Sequence, residues 1–211
     1  MPSPGENPGT VILADGAYPS GEVAAGLLAQ AERVVCCDGA TAAYVLRGGS
    51  PYAIVGDCDS LCDELKERYA DILHCDRDRE TNDLTKAVNF CIGEGFDELT
   101  VLGATGKRED HTIGNVSLLA DYGALARVRM VTDYGVFDPI YEDMLFESFQ
   151  GQQVTIFTFS PETLITTGEN LKYPLHQAKL TRWWQGSLNE STGRRFGVIA
   201  TGATVVYRVF R

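Results

Sequence analysis

The chain has 211 residues, 44% of them hydrophobic, and a formal net charge of −11. That length supports one large domain or two small ones, each with its own buried core. The acidic balance, without a basic block, argues against nucleic-acid and anionic-membrane partners; a phosphate substrate stays open, because one bound metal reverses the local field. No apolar run approaches the roughly 20 residues that span a bilayer. Residues 1–8 are rich in Pro and Gly and lack the charged-then-apolar order of a signal peptide, so the expected location is the cytoplasm. Six cysteines (Cys36, Cys37, Cys58, Cys62, Cys75 and Cys91) lie in the first half without paired CxxC spacing. Zinc is not expected, and the thiols are expected to be reduced and mostly buried.

Residues 10–14 read as a first strand followed by Asp15-Gly16, and residues 21–30 as a helix. Residues 33–37 form a second strand that closes in Asp38-Gly39-Ala40, and a helix over 41–47 stops at Gly48-Gly49. The apolar run 53–55 is a third strand, ending in Gly56-Asp57-Cys58-Asp59-Ser60, with a helix over 61–69 and a short strand over 71–75 behind it. Leu84, Ala87, Val88, Cys91 and Ile92 recur at helical intervals, which predicts a helix capped by Thr81 or Asn82 and ended by Gly93 and Gly95. A strand over 99–102 leads into Gly103-Ala104-Thr105-Gly106, then come a helix over 110–122 and a strand over 127–132. Strands alternating with helices imply a mostly parallel sheet flanked by helices, with ligands bound outside the carboxyl ends of the strands. Beyond residue 133 no helix is predicted. The segments 153–159, 178–183, 195–201 and 204–210 carry β-branched and aromatic residues between turns, as an antiparallel β-sandwich or barrel does. The expected division is therefore 1–133, an α/β domain, and 134–211, a β domain.

Four acidic or glycine-rich motifs end neighbouring strands or open helices. Asp57 and Asp59, two apart in an extended segment, are expected to share a face. Such carboxylates repel unless a cation lies between them, and hard oxygen ligands suit Mg²⁺; an ordinary acidic turn explains the pair as well. Asp38 ends the second strand. Asp83 and Lys86 are neighbours on the first turn of the best-defined helix, where the dipole favours Asp83 but not Lys86. The turn Gly103–Gly106, with Lys107, Arg108, Glu109, Asp110 and His111 behind it, offers backbone N–H groups and a guanidinium to phosphate, although it is neither a Walker A sequence nor GxGxxG. His111 is either a functional group of this turn or structural.

In their order and spacing, Asp38-Gly39-Ala40, Gly56-Asp57-Cys58-Asp59-Ser60, Asn82-Asp83-Leu84-Thr85-Lys86-Ala87 and Gly103-x-x-Gly106-x-Arg108-x-Asp110-His111, with Asn115 beyond, resemble the thiamine pyrophosphokinase family. The resemblance implies a Mg²⁺-dependent enzyme that moves the β,γ-diphosphate of ATP onto the hydroxyethyl oxygen of thiamine, leaving AMP. It implies an α/β catalytic domain followed by a β-sandwich, paired in a homodimer with active sites between domain types of different subunits. On that reading Asp57, Asp59, Asp83 and Asp38 hold Mg²⁺. Asp38, Lys86, Arg108 and His111 face the nucleotide; Asp83, Lys86 and Asp110 carry the chemistry, with Asp110 orienting or deprotonating the thiamine hydroxyl. Asp110, His111, Ser187 and Asn189 lie on the thiamine side. Asn82 stands where the family usually has Thr, Tyr173 where an aromatic residue is expected, and Ala104 and Lys107 where the turn is commonly glycine. A left-handed backbone at Lys107 would strain it. Trp183 and Trp184 are assigned no role. Competing readings are a Mg²⁺-dependent nucleotide hydrolase with water as acceptor and a non-catalytic nucleotide- or thiamine-binding relative. A dinucleotide dehydrogenase is disfavoured, since no fingerprint follows the first strand.

Overall fold

Strands covered on both faces lose the alternation of polar and apolar residues. Strands β1 (Thr10–Leu13), β2 (Arg33–Cys37) and β3 (Ala53–Gly56) are buried at every position except Arg33. In the computed structural model, which describes residues 1–140 and 143–211, β1 pairs in parallel with β2, and β2 with β3. Strands β4 (Leu73–Cys75), β5 (Glu98–Leu102) and β6 (Arg127–Val131) complete the parallel order β6-β5-β1-β2-β3-β4. The chain winds outward from β1 in one direction through β2 and β3, then returns to β5 on the other side of β1. That reversal is a topological switch point, and it opens a crevice at the carboxyl ends of β1 and β5.

Helices α1 (Glu22–Gln30), α2 (Asp38–Leu46), α3 (Asp63–Arg68), α4 (Asp83–Gly93) and α5 (Glu109–Tyr122) lie between the strands. The α4 helix follows its sequence pattern: Leu84, Ala87, Val88 and Cys91 are buried, and the Asn82 side chain caps the first turn by accepting from Thr85 N at 2.9 Å. The α2 helix begins at Asp38, with no connecting loop, so this carboxylate sits on the first turn of a helix rather than after a strand.

The chain divides into a unit of Ser3–Asn115 with Ala126–Asp133 and a unit of Met1–Pro2, Val116–Leu125 and Tyr134–Arg211. The second contains antiparallel strands β7 (Gly135–Ile140), β8 (Met144–Glu147), β9 (Gln153–Thr158), β10 (Leu164–Thr167), β11 (Ala178–Lys179), β12 (Asn189–Glu190), β13 (Arg195–Ala200) and β14 (Thr204–Val209). They pair in the orders β12-β9-β14-β7 and β11-β10-β13-β8. Val154, Ile156 and Val206 from the first set pack with Phe146, Ile165, Phe196 and Val198 from the second in one buried cluster, which is the core of a two-sheet sandwich. Of the strand expected over 178–183 only two residues pair; Trp183–Gly186 forms a 3₁₀ turn instead. No helix among the described residues is long and apolar enough to cross a membrane.

The expectation of reduced cysteines needs correction. Cys58 and Cys75 are joined in a disulfide with Cα atoms 5.6 Å apart, within the spacing a disulfide requires. The β3–β4 register sets Gly56 opposite Cys75, and Cys58 turns back with φ 66°, so residues 17 apart meet. Cys36, Cys37 and Cys91 are buried thiols as expected, and burial pushes Cys36 and Cys91 up to about 12. Cys62 is exposed.

Ile12 is fully buried in β1, the strand about which the order reverses. Ile12→Ala should cost about 2–5 kcal/mol, read as a lower urea midpoint with an unchanged m-value.

Candidate active site

The Asp38 carboxylate is 2% exposed and is held by backbone: Gly39 N–H donates to its Oδ1 at 2.7 Å and Ser60 N–H to its Oδ2 at 3.5 Å. The end of β3 comes this close because residue 56 has no side chain; a Cβ on Gly56 would lie 2.8 Å from the Asp38 carboxyl carbon. Beyond Gly56 the strand stops. Cys58 takes a left-handed φ, and Asp59 N–H donates to Asp57 Oδ1 at 3.1 Å. A tight turn, not the expected strand alternation, therefore sets Asp57 and Asp59 together. Asp38, Asp57 and Asp59 each contribute an oxygen to a group lying within 4.8 Å of one another.

Asp83 opens α4 alongside this group. Its Oδ1 accepts from Asp57 N–H at 3.2 Å and lies 3.3 Å from Lys86 Nζ. Lys86 is only 6% exposed, and a buried ammonium needs such a partner. Burial first, then the charge of Asp83, raises Asp38 above the ordinary carboxylate value. The Asp59 backbone N–H holds Asp57 below it, with Lys86 helping. Asp38, Asp57, Asp59 and Asp83 thus stand against one lysine. Closely spaced, hard oxygen donors at a partly open rim suit Mg²⁺, which takes one or two carboxylates and keeps its other positions for water and phosphate oxygens.

The glycine turn after β5 is built against the loop after β1. Gly103 and Gly106 take φ of 66° and 89°, so the left-handed positions fall on glycines and Lys107 escapes the strain that its place in the motif suggested. Gly16 N–H donates to Gly103 O at 2.5 Å and Ala17 N–H to Thr105 O at 2.7 Å, while Lys107 Nζ reaches Asp15 Oδ1 at 2.7 Å. Asp15 also lies against Gly39, where a Cβ would meet its Oδ2 at 2.8 Å. Asn115 donates to Ala104 O at 2.9 Å and accepts from Asn82 Nδ2 at 3.2 Å, which ties the turn to the cap of α4. Arg108 and Asp110 form an exposed ion pair, Nε to Oδ1 3.1 Å, that holds Asp110 at about 2. His111 is exposed, and its N–H donates to Asp110 Oδ1. The side-chain hydrogen bonds and ion pairs described for Lys107, Arg108 and Asp110 run among themselves, to the His111 N–H and to Asp15. Those of Asp38, Asp57, Asp59, Asp83 and Lys86 tie the carboxylate group together. In the sequence Asp15 was noted after the first strand but assigned no role, although Asp38 and Asp57 likewise follow strands.

Ser187 and Asn189 belong to the other unit. Ser187 Oγ donates to Trp184 O at 2.6 Å. Asn189 is buried and spends its amide on the backbone of Tyr173, accepting from N at 3.1 Å and donating to O at 2.7 Å. It holds Tyr173, itself 59% exposed, in place. Trp183 packs edge-on against Phe157 and Phe159.

A raised Asp38 means that the native state holds its proton more tightly than the unfolded chain does. The group costs stability as pH rises from the ordinary value of 3.8 to its raised value, and the cost is complete above that window. Asp38→Asn keeps an oxygen for the Gly39 amide and gives up only the longer contact from Ser60 N–H. It should raise the Tm of the metal-free protein at pH 7, with the advantage over the wild type vanishing below 3.8; scanning calorimetry across pH reads it.

Two family models cover most of the chain: the thiamin pyrophosphokinase catalytic domain matches residues 24–131 and the thiamin pyrophosphokinase substrate-binding domain residues 135–207. Thiamine pyrophosphokinase 1 of Oryza sativa subsp. japonica is 29% identical over 145 residues, 62% of this chain and 55% of that protein. Thiamine pyrophosphokinase of Bacillus subtilis (strain 168) is 25% identical over 152 residues, 68% of this chain and 71% of that protein. The matched stretch thus spans little more than half the length of the rice relative. Among solved structures, a Lactobacillus plantarum protein superposes with a TM-score of 0.78 at 21% identity, covering 96% of this chain and 98% of that one. Thiamin pyrophosphokinase from Candida albicans gives a TM-score of 0.75 at 16% identity, covering 99% and 92%. These structural likenesses show a shared fold. The two family models, in tandem along the sequence, establish that the chain belongs to the thiamin pyrophosphokinase family.

Proposed function

We propose that this chain transfers the β,γ-diphosphate of ATP to thiamine, giving thiamine diphosphate and AMP. The observation that carries the reading is the convergence of Asp38, Asp57 and Asp59 beside the Asp83–Lys86 pair, in a chain matched by both domain models of the family. In the reaction the hydroxyethyl oxygen of thiamine bonds to the β-phosphorus, the bond from that phosphorus to the oxygen bridging to the α-phosphate breaks, and AMP leaves. Catalysis of this kind is mostly positioning and neutralisation of charge on phosphate oxygens. Asp38, Asp57 and Asp59, with Asp83 beside them, would hold Mg²⁺, which supplies that neutralisation when bound.

The remaining roles fall to the chain's own groups. Lys86, fixed by Asp83, directs its ammonium at the transferring group. Arg108 and His111 serve the nucleotide, with the α5 N-terminus behind them. In its ion pair Asp110 is a poor proton acceptor, since general bases work best with values near the operating pH. Transfer of Arg108 to a phosphate oxygen would release Asp110 and raise its proton affinity, so that it could take the thiamine hydroxyl proton only once the nucleotide is in place. Ser187 and Asn189 serve the thiamine side, Asn189 through Tyr173. Residues 1–133 would thus carry the nucleotide and cation, and 134–211 thiamine, in a cytoplasmic homodimer of the kind the family resemblance implies.

Incubation with ATP, Mg²⁺ and thiamine should yield thiamine diphosphate and AMP in equal amounts; AMP released without thiamine would point to a hydrolase instead. Asp57→Asn should keep the fold by circular dichroism and lower kcat/KM by several kcal/mol of transition-state stabilisation, about 10³-fold. Lys86→Met should lower kcat by about 10²-fold or more even at saturating Mg²⁺, as loss of an electrostatic stabiliser does.

A further inference from the structure

We propose that Cys58 and Cys75 form a reversible dithiol/disulfide couple that sets the cation affinity of the carboxylate turn, an inference that rests on Asp57 and Asp59 being cation ligands. Cys58 stands between those two aspartates, is buried, and holds a left-handed φ of 66° that a residue with a Cβ adopts at a cost. Its sulfur is bonded to Cys75, the last residue of β4. The intervening stretch is lightly packed, with His74 of β4 against Phe90 of α4, ring centroids 4.5 Å apart. The α3 helix and the 3₁₀ turn Ala70–Ile72 bury no residue, and no position of β4 is fully buried. Leu61 is the buried anchor of this excursion, with the β3–β4 ladder and the Asp76 N–H to Gly56 O bond at its far end. The N–H groups of Asp57, Asp59 and Ser60 hold the turn locally, and the sulfur bridge is the one covalent tie between it and β4.

The two sulfurs differ in access: Cys75 is exposed and Cys58 is 7% exposed. A dithiol reductant would attack Cys75 Sγ as thiolate, forming a mixed disulfide and expelling Cys58 as the leaving thiolate. The second thiol of the reductant then attacks its own sulfur in the mixed disulfide and releases Cys75. Two electrons and two protons pass to the protein, and the reductant leaves as a cyclic disulfide. Disulfides of this accessible kind are the regulatory ones in reducing compartments. Freed of the bridge, Cys58 can leave its left-handed conformation and the Asp57–Asp59 spacing relaxes. Coupling is reciprocal: if the bridged form binds the cation more tightly, the cation must favour the bridged form by the same factor.

The test uses the whole chain and Mg²⁺ alone as probe. Calorimetric titration of the oxidised protein, the reduced protein and Cys75→Ser should show Mg²⁺ binding about tenfold weaker in the last two, the scale typical of lost support around a metal ligand. In dithiothreitol redox buffers, alkylation of Cys58 and Cys75 followed by mass spectrometry should show saturating Mg²⁺ moving the dithiol–disulfide ratio toward disulfide by that same factor. Equal Mg²⁺ affinity in all three forms, with a redox ratio indifferent to Mg²⁺, overturns the proposal even if thiamine diphosphate is made. Redox-linked Mg²⁺ binding without thiamine diphosphate formation upholds it and removes only the assigned reaction.

Discussion

The mutual repulsion of Asp38, Asp57, Asp59 and Asp83 is the constraint around which this half of the chain is arranged. Carboxylates this close destabilise one another unless something positive or a hydrogen-bond donor stands among them. Lys86 supplies one positive charge, and the backbone N–H groups of Gly39, Asp57, Asp59 and Ser60 supply donors. The imbalance that remains is what a divalent ion bridging to a polyphosphate would relieve. The shifts of Asp38 and Asp57 run in opposite directions for different reasons: burial and then the Asp83 charge raise Asp38, while the Asp59 N–H lowers Asp57.

The arrangement needs backbone more than side chains. Parallel strands deliver their carboxyl ends to one rim, and α2 and α4 begin there, so that Asp38 and Asp83 occupy first turns where the dipole favours negative charge. The missing side chain at residue 56 lets β3 approach Asp38. The glycines of the 103–106 turn let it fold against the loop after β1. Removing any of these would displace charged oxygens without altering a single charge.

Much of the first unit was legible in the sequence because its signals are local and periodic. The α4 face, its Asn82 cap and the apolar runs of β1 to β3 are found where the pattern put them, and the acidic motifs follow those runs. In the second unit, β7, β8, β10 and the two-residue β12 were missed. The Pro within β7, at residue 139, argues against a strand, β8 and β10 are four residues long, and the pairing that stabilises them is distant in sequence. The Cys58–Cys75 bridge was not legible either: nothing in their spacing differs from that of unpaired thiols, and only the β3–β4 register brings them together. The position of Asn189 was legible but its partner was not, because in sequence a buried amide engaged by the Tyr173 backbone looks the same as one aimed at a ligand.

The chain of amides from α4 to the glycine turn has one direction. Asn82 Oδ1 accepts from Thr85, its Nδ2 donates to Asn115, and Asn115 Nδ2 donates on to Ala104 O. Each link uses an acceptor and a donor on the same side chain, which an aspartate of identical shape lacks at neutral pH. Neutral amides thus brace a rim already saturated with negative charge, and they add rigidity to it without adding to its electrostatic load.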